Sequence, residues 1–333
     1  MFDPKLQEHF KVDFSIYNSR VLPQEWLEEI YKLKLFKLFV PKDLGGLELD
    51  LVSGLKVLMD TASINGSLGW VINLGAGAGY FSGLFDERTS EEIFNDEKAV
   101  VAGSGKVGGK ARKDNEHYLI NGTWEYCTGA AHARYFSANA FFDDGTIKSV
   151  LFFRDQVKIH DDWKLFALKA TSTFRFETEN TLVEKRFIFS YDEQKSFFDY
   201  PLCRIPFWSF AKFCMISSLI GMAECFINNV QNEFDLENDE KNYSNEFLSK
   251  LNSEKLNLLN IADQFYEKAG DHVKILAIDQ NKLSSSISKL REMIYNMTCH
   301  LFLKLGISIT DETFHSHHAW RDVILIAKHF VLR

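Results

Sequence analysis

Gly103-Ser104-Gly105-Lys106-Val107-Gly108, preceded by Ala99-Val100-Val101-Ala102 and followed by Gly109-Lys110-Ala111, decides the fold of this chain. Letter for letter the hexapeptide fits G-x-G-x-x-G, the dinucleotide-binding fingerprint, and an apolar run precedes it as that fingerprint requires. The fingerprint also demands a helix immediately afterwards, because the pyrophosphate sits on that helix's N-terminus. Here the chain continues as the polar stretch Lys110 to Glu116, and Asn121-Gly122 then falls between two β-rich runs, which reads as a hairpin turn. Asp144-Gly145 repeats the signal between residues 135–142 and 147–153. The region is therefore read as antiparallel β, and the dinucleotide reading is set aside.

Working outward, residues 7–95 carry a helical pattern. Pro23-Gln24-Glu25-Trp26 reads as a helix start, with proline in the first turn and acids favoured by the N-terminal dipole. Leu55 to Ala62 and Glu91 to Phe94 read similarly, and Gly75-Ala76-Gly77-Ala78-Gly79 as helical backbone approaching a neighbour closely. Short strands and turns fill residues 100–190. Beyond Tyr200 the β signals stop, and helical segments are expected at about 205–233, 246–280, 282–304 and 318–330, with a polar turn over 235–245. Blocks strung in this way predict an α+β architecture. Its parts are an N-terminal helical domain (1–98), a central antiparallel β-barrel or sandwich domain (99–200) and a C-terminal four-helix-bundle domain (201–333).

The 333 residues carry a net charge of −8 and do not concentrate Lys and Arg, which excludes a nucleic-acid partner. Thirty phenylalanines suit aromatic packing between helices and a β layer. Met1-Phe2-Asp3-Pro4-Lys5 has no secretory pattern, and the apolar stretch Phe213 to Phe226 is too short to span a bilayer, so no membrane partner is expected. Five cysteines without C-x-x-C spacing suit reduced thiols and a cytoplasmic location. His315-x-His317-His318, near Asp311 and Glu312, is the one metal-like cluster, but three histidines so close at a helix start converge poorly, and no metal site is expected.

Several segments, taken in order, resemble the acyl-CoA dehydrogenase superfamily, and within it the flavin-dependent two-component monooxygenases. Val40-Pro41-Lys42-Asp43-Leu44-Gly45-Gly46 is similar to V-P-x-x-x-G-G, and Ser67-Leu68-Gly69-Trp70 to the S-x-G-W helix of the monooxygenase branch. Tyr118-Leu119-Ile120-Asn121-Gly122-Thr123-Trp124 resembles the Y-x-L-N-G-x-W hairpin, and Thr128-Gly129 with His132-Ala133 the S/T-G…H-A element. Trp163 to Ser172 resembles the W-x-x-x-G-M-R-x-T-G-S strand, and His318-Ala319-Trp320-Arg321-Asp322 the start of the L-x-R-x-W-R-D helix.

The resemblance implies a flavin, FAD or FMN, whose ring lies between the β domain and the C-terminal helices, held by Tyr126, Thr128, Gly129, Thr171 and Ser172. Chemistry supports the placement, because an isoalloxazine needs hydrogen-bond donors at its ring edge and an aromatic wall, which Thr128, its backbone N–H and Tyr126 can supply. Thr128 and Tyr126 equally fit ordinary strand positions. A dehydrogenase of the family needs a glutamate as base, either past the R-D helix or on the first helix of the C-terminal domain. The sequence stops at Arg333, and Ala211-Lys212 falls where the second position would lie, with Glu224 one residue past the G-x-A match Gly221-Met222-Ala223.

The monooxygenase branch instead pairs a residue at the position of Thr128 with a histidine late in the W-R-D helix. His329, nine residues after Trp320, fits that spacing. It fits equally a histidine at a helix C-terminus facing the macrodipole. Thr128 and His329 are thus the candidate catalytic residues. The expected function is an oxygen-activating monooxygenase acting on a small molecule, with reduced flavin supplied by a separate reductase, as a homodimer or homotetramer. An FAD-dependent acyl-CoA dehydrogenase and a binding protein that kept the fold without a cofactor are the alternatives.

Overall fold

The computed structural model describes residues 5–193 and 197–333. Helices α1 (Leu6–His9), α2 (Gln24–Lys32), α3 (Leu51–Ile64), α4 (Gly66–Gly77) and α5 (Glu87–Phe94) come first. Their starts follow from local chemistry. Pro23 precedes α2, and the side chains of Asp50, Asn65 and Asp86 accept first-turn amide hydrogens of α3, α4 and α5.

Among the described residues seven strands follow: β1 (Val101–Asp114), β2 (His117–Cys127), β3 (Tyr135–Phe142), β4 (Ile147–Phe153), β5 (Lys158–His160), β6 (Phe174–Glu184) and β7 (Ile188–Phe189). They form one open sheet in the order β5-β6-β2-β1-β3-β4-β7, and the expected barrel or sandwich is corrected to this. The sheet is also not purely antiparallel, because β1 and β3 run parallel. The cause is the return of the chain after β2 to the start of β1, where Arg134 and Tyr135 both donate to the Val100 carbonyl. No helix follows Gly108, and the G-x-G-x-x-G hexapeptide lies wholly inside β1.

Asn121-Gly122 is not the turn of a hairpin. The β1–β2 turn is Asn115-Glu116, with Asp114 opposite His117 and Asn115 at φ 54°. Asn121-Gly122 lies within β2 at a register shift against β6, where Asn121 Oδ1 accepts the Asn180 amide at 2.7 Å. Gly122 is needed there for room. A Cβ on it would come within 2.5 Å of the Trp124 ring, and one on Gly109 opposite within 2.3 Å. Trp124 is fully buried and donates its Nε1–H to the Asn139 carbonyl at 2.9 Å, which anchors the sheet's core. Asp144-Gly145 does turn β3 into β4, with Gly145 at φ 79°.

The C-terminal part holds α6 (Phe207–Glu233), α7 (Asn238–Gly270), α8 (Ala277–Lys304) and α9 (His315–Ile326). The polar stretch 235–245 is mostly helix, because the Glu240 side chain accepts the Glu237 amide at 2.9 Å and caps α7 at its start. Helix α6 lies at the centre, against α3, α4, α7, α8 and α9. A Cβ on Gly221 would stand 2.1 Å from the Met59 carbonyl oxygen, so glycine permits the close approach of α6 to α3. Its 27 residues are long and apolar enough to cross a bilayer by composition, which the shorter stretch seen in the sequence understated, but 83% of its apolar window is buried inside the protein. The segment expected as a strand from Trp163 to Ser172 is a loop with a 3-10 turn at Lys169–Thr171.

Candidate functional site

A cavity of about 570 Å³ opens where the sheet meets α4, α6 and the end of the chain. Thr128, Tyr126 and His329, which lie far apart in sequence, all line it. Each arrives there by a distinct local device.

Tyr126 sits at a bulge of β2 against β6, between the paired positions Trp124 and Cys127, with φ 64°. A left-handed tyrosine is strained by about 1 kcal/mol or more, and the bulge breaks the strand's alternation. Its ring is half exposed at the cavity mouth, 4.4 Å from the Lys106 ammonium, which is itself paired with Glu125 at 2.9 Å.

Thr128 follows immediately and is buried. Its hydroxyl accepts the Trp70 Nε1–H at 3.1 Å and lies 2.9 Å from the Thr173 hydroxyl. Thr173 is 2.7 Å from Thr171, whose hydroxyl donates to the Leu168 carbonyl at 2.8 Å. Gly129, Thr171 and Ser172 do not line the cavity. They build the support behind it: Gly129, at φ 81°, donates its amide to the Thr171 carbonyl at 2.9 Å, and Ala130 donates to the Ser172 carbonyl. The Ser172 hydroxyl is buried with no hydrogen-bond partner among the described residues.

His329 is not on the helix. Helix α9 ends at Ile326, and His329 is extended (φ −61°, ψ 135°), opening a short 3-10 turn over Phe330–Leu332. The reading of His329 at a helical spacing from Trp320, and the macrodipole reading beside it, are both corrected by this. Its ring packs edge-on to Trp70 with centroids 5.5 Å apart. Burial lowers its pKa from the ordinary value near 6.5 to about 4, so the imidazole is neutral at neutral pH. Nδ1 accepts the Val331 amide at 3.4 Å, which leaves the hydrogen on Nε2.

Trp70, Asn73 and Thr173 are wall residues that the sequence did not single out as site residues. Trp70 was legible only as part of Ser67-Leu68-Gly69-Trp70. The buried amide oxygen of Asn73 has no hydrogen-bond partner among the described residues. Ala211 also lines the cavity, and none of the described lining residues is Asp or Glu; the charged ones are Lys106, Lys328 and Arg333. Glu224 lies elsewhere, paired with Lys255 at 3.0 Å.

The histidines at the start of α9 are engaged separately. Tyr17 Oη is 2.9 Å from His315 Nδ1, the Tyr17 ring stacks on His318 at 3.7 Å, and His317 Nδ1 lies 3.1 Å from the Ile309 carbonyl. Among the described residues no disulfide joins the five cysteines.

No family model matches the chain. Among curated proteins it is similar to a pigment production hydroxylase of Rhodococcus sp., 26% identical over 170 residues, 50% of this chain and 44% of that one. It is similar also to the HsaA oxygenase subunit of a flavin-dependent monooxygenase from Mycobacterium tuberculosis, 25% identical over 219 residues, 61% of this chain and 55% of that one. The chain thus spans about half the length of the curated relatives it matches. Among solved structures, XiaF from Streptomyces sp., in complex with FADH2 and glycerol, superposes with a TM-score of 0.87 at 19% identity, over 96% of this chain and 87% of that one. In sequence, then, the chain is similar to a hydroxylase and to the oxygenase subunit of a flavin-dependent monooxygenase, and it shares its fold with the solved structures of XiaF and of the HsaA monooxygenase from M. tuberculosis.

Proposed function

We propose that this chain is the oxygenase component of a two-component flavin-dependent monooxygenase. It takes FADH2 or reduced FMN from a separate reductase and acts on a small, largely apolar substrate. The single observation that carries the reading is that Thr128, Tyr126 and His329 share one cavity that no carboxylate lines among the described residues. An acyl-CoA dehydrogenase needs a carboxylate base over the ring, and Ala211 stands where one was sought.

The cavity lining fits a flavin ring. The volume falls within the ~300–1,000 Å³ usual for small-molecule sites. Tyr126 and Trp163 supply aromatic surface, and the unpaired Asn73 oxygen and the Thr128 hydroxyl supply polar contacts for a ring edge. Reduced flavin, when bound, supplies the two electrons by which O2 gives one oxygen atom to the substrate and the other to water. The chain's residues do the rest. Thr128 orients the ring edge, His329 offers a neutral Nε2–H, and the apolar wall formed by Trp70, Phe210 and Met215 keeps water out. Gly129, Thr171 and Ser172 act from behind by holding Thr128.

The division at 1–98, 99–200 and 201–333, a cytoplasmic location and a homodimer or homotetramer joined through the C-terminal helices complete the reading. Anaerobic titration with FADH2 and reduced FMN, followed by 18O2 and an aromatic substrate panel, tests it. Tight binding of a reduced flavin and a product carrying one 18O atom are expected. Failure to bind either flavin overturns the reading, and acyl-CoA-dependent bleaching of co-purified FAD would establish the dehydrogenase instead.

A further inference from the structure

The hydroxyl hydrogens around Thr128 can be assigned, because both ends of the hydrogen-bonded chain are fixed. An indole N–H only donates and a carbonyl only accepts, whereas a threonine hydroxyl has one hydrogen and two lone pairs. At one end Trp70 Nε1–H points at Thr128 Oγ1, 3.1 Å away. At the other, Thr171 Oγ1 is 2.8 Å from the Leu168 carbonyl oxygen, a contact that is attractive only if the Thr171 hydrogen lies between them. Thr171 then has no hydrogen left for Thr173, 2.7 Å away, so Thr173 donates to Thr171. By the same count Thr128 donates to Thr173 at 2.9 Å.

The order is Trp70 to Thr128 to Thr173 to Thr171 to Leu168. Reversing any link places two bare lone pairs within hydrogen-bond distance in a buried site, which is costly where no water can compensate. Thr128, Thr171 and Thr173 are all buried.

This corrects the expectation that Thr128 donates to the flavin through its side chain. Its hydrogen is committed, one lone pair is taken by Trp70, and only the second lone pair remains for a ligand. We propose that Thr173 and Thr171 are positioning residues that hold Thr128 as a hydrogen-bond acceptor toward the cavity, so that the site selects a ligand atom carrying hydrogen. Resting on the flavin reading above, the ligand atom is ring N5, which bears a hydrogen in the reduced ring and a bare lone pair in the oxidised one. The relay therefore discriminates between redox states without any charge. Trp70 has a different part: it occupies a lone pair of Thr128 but does not set where the Thr128 hydrogen goes.

Thr173→Val tests the proposal. Without Thr173 as acceptor, the Thr128 hydrogen is free to turn to an unprotonated N5. Anaerobic titrations of wild type, Thr173→Val and Thr173→Ser with the same flavin in both redox states give the ratio of oxidised to reduced dissociation constants. Wild type is expected to favour the reduced form. Thr173→Val should lower that ratio about tenfold, the scale of one neutral hydrogen bond gained or lost, and Thr173→Ser should restore it. The midpoint potential of the bound flavin should fall by ~30 mV in the valine variant, as a tenfold change in a two-electron couple requires. A merely structural role for Thr173 weakens both redox forms alike and leaves ratio and potential unmoved, which overturns the proposal while sparing the flavin reading. Wild type that binds neither redox form of FAD or FMN overturns both.

Discussion

At the scale of single residues, three imidazoles share one physical condition. His132 stacks on Phe36 at 5.4 Å, His318 on Tyr17, and His329 packs against Trp70; burial is the first cause that lowers each to about 4. The Arg154 charge adds to the effect at His132. An unfolded histidine titrates near 6.5, so between about 6.5 and 4 the unfolded chain binds protons that the folded chain refuses. The stability these groups contribute is complete above pH 6.5 and is lost as pH falls through 4. Asp322 has the opposite sign, since burial raises its carboxyl to about 7 and its contribution declines as pH rises from near 4 to 7. Three groups against one predict a midpoint of thermal unfolding that falls on acidification from pH 6.5 to 4. His329→Gln should make that slope shallower; an unchanged slope by calorimetry would show that His329 does not titrate with unfolding. His329 was found in the sequence by its distance from Trp320, a helical argument, yet it reaches the cavity because the helix stops at Ile326.

At the scale of elements, Asp322 joins α9 to the loop beneath the threonines. Its Oδ1 accepts the buried Leu168 amide at 2.7 Å, and its other oxygen packs so closely on the start of α4 that a Cβ at Gly66 would stand 2.2 Å away. Leu168 in turn supplies the carbonyl that fixes the Thr171 hydrogen. Asp322→Ala is expected to cost about 1–3 kcal/mol by leaving that amide unpaired. Urea unfolding at pH 4, before the contribution of Asp322 has declined, measures it; a loss below ~0.5 kcal/mol would mean that water reaches the amide. Element types were largely legible in the sequence, and turns were less so. Asn121-Gly122 has the composition of a hairpin turn, but Gly122 is there because Trp124 fills the space a side chain would need. The turn fell instead to Asn115, a residue type that also tolerates positive φ.

At the scale of the whole molecule, α7 and α8 leave large apolar side chains in solvent. Leu256 and Leu303 are 64% and 76% exposed, and Ile307, just past α8, is 87% exposed. Burial of such side chains is worth about 1.5–3 kcal/mol each, which favours the homo-oligomer proposed above. Sedimentation velocity should return two or four chain masses, and Leu303→Asp with Ile307→Asp should shift the species towards one. A wild-type monomer at micromolar concentration would remove this part of the reading.

Hydrophobic period and turn chemistry are local, so the succession of helical, β and helical segments was legible in the sequence alone. The break after Gly109 was enough to remove the dinucleotide reading, and the ordered motifs were enough to bring Thr128 and Tyr126 forward. The rest depended on contacts between residues distant in the chain. That the sheet is open with β1 and β3 parallel depends on where Tyr135 returns, and that Thr128 accepts follows from Trp70 and Leu168 arriving at two ends of one hydroxyl chain. A hydroxyl's direction is set by its partners, and Thr173, which takes the Thr128 hydrogen, is 45 residues away along the chain and 2.9 Å away in space.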